Sequence, residues 1–68
     1  MFSGTKMEGY RKEQSITRAA LAQAVGVTEM TLYNWSKGVG KPDADNVLRL
    51  ASCLGVDLMD LYEEEKAS

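Results

Sequence analysis

The chain contains no histidine, so no side chain titrates near neutrality without a large shift. Its single cysteine, Cys53, has no second thiol and no nearby histidine, which excludes an internal disulfide, a nucleophilic pair and a metal site. Cys53 lies between Ser52 and Leu54 in a predicted helix, with only Arg49 four residues back, and reads as an inert structural thiol rather than a redox sensor. Nothing points to an oxidising compartment. No apolar run approaches the roughly 20 residues of a membrane span. The first residues lack the charged-then-apolar order of a signal peptide, and a cytoplasmic location is expected. The carboxylates fall in predicted helix caps and in the tail. No enzyme activity, cofactor, metal or small-molecule pocket is expected.

An excess of positive charge is missing too. The net charge is −2, against the usual footprint of a nucleic-acid binder. The distribution matters more than the total. Residues 1–42 carry six basic groups against three acidic ones, while residues 43–68 carry two against seven. A positive end can face phosphate while the acidic end points away.

What is present suits one small domain. Sixty-eight residues bury only about 60% of their unfolded surface, so the core is small. The 44% apolar content argues against disorder. The stretch Thr17–Gly38, TRAALAQAVGVTEMTLYNWSKG, organises the rest. Leu21, Ala22 and Val25 share one face of a helix capped by Thr17, and Ile16 before the cap is placed as a hydrophobic staple. Gly26 ends that helix, Val27 packs at the corner, and Thr28 caps the next. Leu32 and Trp35 give the second helix its inward face, with Trp35 a core plug rather than a stacking platform. Glu29, Met30, Tyr33, Asn34 and Lys37 remain outside.

The flanks complete an all-α expectation: five short helices around one core. Residues 1–5 show no periodicity and are expected to fray. Lys6–Glu13 predicts a first helix with Met7 and Tyr10 inward, weakened by Gly9. After Trp35, Gly38 and Gly40 break the chain and the single proline, Pro42, fixes the loop exit. Asp43 or Asp45 caps a fourth helix that turns Val47, Leu50, Ala51 and Leu54 inward. Gly55 ends it, and Asp57 caps a last short helix with Leu58, Leu61 and Tyr62 on its apolar side. The domain is expected to occupy residues 6–62, with an acidic solvated tail over 63–68.

Arg18, Leu21, Ala22, Gly26, Val27, Leu32 and Trp35 fall at the spacing of the Cro/repressor (lambda-repressor-like, XRE-type) helix-turn-helix family, and KPDADNVLRLASCLGVDLMDLY resembles that family's fourth and fifth helices. The resemblance runs from about Met7 to Tyr62. It implies a transcription regulator, a repressor by expectation, that reads double-stranded DNA by laying the helix 28–37 in the major groove.

The same resemblance distributes the contacts. Thr17 and Arg18, at the N-terminus of the second helix, and Lys37 and Lys41, around the glycine loop, are placed on phosphate. The family usually has glutamine where this chain has Arg18, which can clamp a phosphate or reach guanine. Thr28, Glu29, Met30, Thr31, Tyr33, Asn34 and Lys37 are the candidates for base edges. Asn34 suits adenine, Lys37 guanine, and Met30 and the Thr31 methyl suit thymine methyls. Glu29 either accepts from a cytosine amino group or stays in solvent. Asp43 and Asp45 would oppose phosphate unless they cap their helix and point aside. A homodimer on an inverted-repeat operator is implied, its surface expected on Leu58, Met59, Leu61 and Tyr62, which can equally be core. The alternative is a protein-interaction module of the same fold, an antitoxin or regulatory partner with weak or no DNA binding, which the acidic half favours.

Overall fold

Four short polar side chains decide where the helices begin. Ser3, Thr17, Thr28 and Asp43 lie in extended backbone, and each accepts a hydrogen bond from the N–H three residues on, at 3.1, 3.1, 3.1 and 2.9 Å. Each satisfies one of the donors that a helix start leaves without a partner. The computed structural model describes residues 1–63, in which these caps open α1 (Gly4–Glu13), α2 (Arg18–Val25), α3 (Glu29–Ser36) and α4 (Ala44–Leu54). Gly26 and Gly55 end α2 and α4 in the left-handed region, at φ 89° and 68°, which a residue without Cβ reaches at no steric cost.

The fifth expected helix is not an α-helix. Leu58–Leu61 forms a single 3₁₀ turn, so the described residues hold four α-helices and that turn. Four residues between Asp57 and Tyr62 leave room for one turn only, and its bonds run i to i+3, from Asp60 N–H to Asp57 O and from Tyr62 N–H to Met59 O. The Asp60 carboxylate accepts from the Asp57 N–H at 3.0 Å.

The start of the chain also differs from expectation. Residues 1–3 pair with residues 61–63. Ser3 N–H donates to Leu61 O at 2.7 Å, Glu63 N–H donates to Met1 O at 2.8 Å, and Phe2 and Tyr62 form an antiparallel bridge with their rings edge-on at 6.3 Å. Helix α1 begins at Gly4, behind the Ser3 cap and two residues before the expected Lys6. Of the expected acidic tail, Glu63 accepts from the Ser3 hydroxyl at 3.0 Å; residues 64–68 lie outside the described part.

One core lies where these elements meet. Met7 from α1, Leu21, Ala22 and Val25 from α2, Leu32 and Trp35 from α3, Val47, Leu50, Ala51 and Leu54 from α4, and Leu61 are buried together. Ile16, Val27 and Tyr10 pack at its edge, half-buried. Helix α2 packs on both α3 and α4, and α1 packs across α3, α4 and the 3₁₀ turn. One approach is unusually close: a Cβ on Gly4 would fall 2.2 Å from Trp35 O and 2.8 Å from the Ser36 Cα. The first residue of α1 thus rests directly on the last turn of α3.

Candidate nucleic-acid interface

Burying Leu32 and Trp35 fixes which side of α3 faces out. Glu29, Met30, Tyr33 and Lys37 are exposed, with Met30 at 66%, while Thr31 and Asn34 are half-buried. Thr28 is committed at the helix start: its hydroxyl takes the Thr31 N–H and lies 2.9 Å from the Thr31 hydroxyl. At the other end, the Asn34 carbonyl accepts from the N–H groups of Lys37 and Val39, which leaves its side-chain amide as the group available to a ligand. Ser36 donates its hydroxyl to Tyr33 O at 2.6 Å.

Cations flank this helix. Arg18, the first residue of α2, stands over Tyr33 with its guanidinium carbon 5.1 Å from the ring centroid, and the Lys37 ammonium is 5.5 Å from the same centroid. Both distances fall within cation–π range. Arg18 also donates to Glu8 on α1 at 3.4 Å, and Arg11 donates to the same carboxylate at 2.5 Å. The Arg11 hydrogen bond is the main cause holding the Glu8 carboxyl below the usual glutamate range, and partial burial opposes it. Lys12, Arg18, Tyr33, Ser36 and Lys37 line a concavity of about 440 Å³ between α1 and α3. Lys41 is exposed in the loop that leaves α3, where Gly38 and Gly40 take φ of 80° and 73° and Pro42 is buried.

Most of the residues expected on DNA therefore lie on or beside the exposed side of α3. Thr17 is occupied as a cap. Arg18 is tied to Glu8 and Tyr33. Sequence reasoning missed two members of this face. Lys12 and Glu8 entered only in the charge count of residues 1–42, and nothing in the sequence joins Glu8 to Arg18 ten residues on. Of the two aspartates the sequence offered as the α4 cap, Asp43 takes the role, its carboxylate turned to the Asn46 N–H; both Asp43 and Asp45 are exposed.

The dimer candidates divide. Leu58 and Met59 are exposed, Met59 at 73%, but Leu61 is fully buried and Tyr62 is half-buried against Phe2. Leu61 belongs to the core. The 3₁₀ turn rotates it inward, so it offers no surface to a second copy.

A helix-turn-helix family model matches residues 8–61, most of the chain. The chain belongs to the XRE-type helix-turn-helix family. Solved structures agree with the fold. The crystal structure of the P22 c2 repressor in complex with synthetic operator 9T superposes with a TM-score of 0.83 at 28% identity, over 90% of this chain and 92% of that one. The solution structure of the P22 c2 DNA-binding domain gives 0.82 at 26%, over 96% and 92%. The restriction-modification controller protein C.AhdI from Aeromonas hydrophila gives 0.81 at 20%, over 87% and 89%, and shares the fold. No curated protein sequence matches the chain. Helix-turn-helix regulators of this kind act by binding and not by catalysis. Among the described residues no helix is long and apolar enough to cross a membrane.

Proposed function

We propose that this chain is a sequence-specific, double-stranded DNA-binding transcriptional regulator, a repressor that lays α3 in the major groove. The observation that carries the reading is the outward face of α3. Glu29, Met30, Tyr33 and Asn34, with Lys37 at its end, sit on a short helix capped at its start, packed through Leu32 and Trp35, bordered by Lys12 and Arg18 and followed by exposed Lys41. Such a helix presents base-reading groups in fixed positions, and the cations around it can settle on the two phosphate backbones. A related repressor has been crystallised on its operator, which supports carrying the same use of the fold to this chain.

Arg18 and Lys37 contact phosphate or guanine in this reading, Asn34 reads adenine, and Met30 touches thymine methyls. One helix covers few base pairs. Two copies related by a two-fold axis would place two such helices about one turn, roughly 34–36 Å, apart, so an inverted repeat is the expected operator. Leu58 and Met59 supply the exposed apolar part of the dimer surface.

Selection from a random double-stranded DNA library at moderate salt tests this directly. Enrichment of an inverted repeat with turn-length spacing is the expected outcome. If a folded chain enriches no motif, and its binding does not weaken with salt, the reading gives way to a protein-interaction module whose partner is sought on the acidic half. Phosphate contacts give a log–log salt slope of about −0.9 for each phosphate neutralised.

A further inference from the structure

Glu8 stands where an acidic side chain is unfavourable for a DNA-binding face. It lines the same concavity as Lys12, Arg18 and Lys37, and a phosphate brought there would be repelled by it. Its side chain is only 17% exposed, and its carboxylate is shared by two arginines from different helices, Arg11 at 2.5 Å and Arg18 at 3.4 Å. Glu8 is ionised at neutral pH as any ordinary glutamate is, and its arginines favour that form further. Arg18 in turn rests over Tyr33, and its Nε is buried without an acceptor. Glu8 and Tyr33 hold one guanidinium together, the first by charge and the second by its ring face.

An arginine left free at the start of α2 would be ordered only on binding and would follow any phosphate within reach. Held as it is, Arg18 is offered in one place, and the Tyr33 ring is steadied with it. We propose that Glu8 is a positioning residue of the DNA interface. It joins the α2 arginine and the α3 tyrosine into one rigid reading unit, raising discrimination between sequences while lowering general affinity for phosphate. The proposal rests on the DNA-binding reading above.

Glu8→Gln keeps the shape and removes the charge. Affinities are measured for the selected operator and for a scrambled duplex of equal length across a salt series. With Arg18 released, scrambled-duplex binding is expected to tighten several-fold, and its log–log slope to steepen by about 0.9 as one more phosphate is neutralised. The ratio of operator to scrambled affinity is expected to fall by roughly tenfold, a loss comparable to one good base contact. In a Tyr33→Ala background, Glu8→Gln should change that ratio no further, because the ring that fixes Arg18 is gone. In the free protein, the Tyr33 ring and Arg18 Nε resonances should shift in Glu8→Gln.

A charge that acts only at a distance would strengthen both duplexes alike and leave the ratio untouched. A purely structural glutamate would lower both affinities together. Either result, or additivity with Tyr33→Ala, overturns the proposal. If Glu8→Gln fails to fold, Glu8→Asp, which keeps the charge and draws it back by one methylene, should lower the ratio in the same direction; an unchanged ratio there overturns it. A wild-type chain that prefers no duplex overturns the DNA-binding reading itself. A wild-type chain that discriminates no better than Glu8→Gln overturns only the positioning role.

Discussion

Asn34 and Lys41 ask different things of a duplex. The Asn34 amide, on the outward side of α3, can pair bidentately with adenine, so Asn34→Ala is expected to cost about 1–3 kcal/mol and to relax preference at one base position. Lys41 is exposed in the loop after α3 and is proposed to meet phosphate, so Lys41→Ala should weaken all sequences alike while reducing the salt slope by about one. Repeating the library selection and the salt series on both variants checks this; identical behaviour would undo the division into readers and positioners. Glu8 adds a prediction in pH. Because Arg11 and Arg18 favour its ionised form in the folded state, its contribution to stability is present above the ordinary glutamate pKa of about 4.3. That contribution is lost as pH falls through the lowered folded value. Thermal unfolding of wild type and Glu8→Gln should therefore differ at pH 7 and converge in acid. A gap that persisted at low pH would mean that the carboxylate acts by packing instead.

At the scale of the element, the helices were largely legible, because their starts and stops depend on local chemistry. Thr17 and Thr28 each cap as the sequence suggests, Asp43 is the cap of the two aspartates it offered, and Gly26 and Gly55 each end a helix at positive φ. Of the two departures, the earlier α1 starts behind the Ser3 cap and the 3₁₀ turn fills the four residues 58–61 in place of a fifth helix; beside both lies the pairing of residues 1–3 with 61–63. No local signal carries that pairing. Two glycines of α1 make the contrast testable. Gly9 has nothing within 4 Å of where a Cβ would go, so Gly9→Ala should stabilise the fold by about 0.5–1 kcal/mol, a rise of roughly 3–6 °C in Tm. Gly4 is different: its Cβ would meet Trp35 O at 2.2 Å. Gly4→Ala should destabilise by roughly 1–3 kcal/mol as α1 is pushed off α3. Calorimetry on the pair decides it; shifts in the same direction would contradict the close approach of α1 to α3.

The whole molecule divides its charge along the chain. Residues 1–42 hold the excess of basic groups and residues 43–68 the excess of acidic ones, and the candidate interface draws its cations from the first. The proposed dimer surface lies in the second half, where Leu58 and Met59 are exposed. Met59→Glu should leave Tm nearly unchanged, since it removes no buried contact, and should weaken binding to a full inverted repeat at least several-fold while sparing a single half-site. Sedimentation and binding to the two duplexes would show this, and equal losses on both would move the dimer surface elsewhere.

The all-α class, the helix-turn-helix and the outward residues of α3 follow from the sequence by itself. Caps, left-handed glycines and the i, i+3, i+4 spacing of apolar residues act within one or two turns of chain, where order along the sequence is order in space. Tertiary structure alone decided the rest. It sent Leu61 into the core, set Gly4 against Trp35, and brought Glu8, Arg18 and Tyr33 from three helices to one place. Those outcomes depend on how helices pack across long sequence separations, and no local spacing specifies which side chains that packing makes into neighbours.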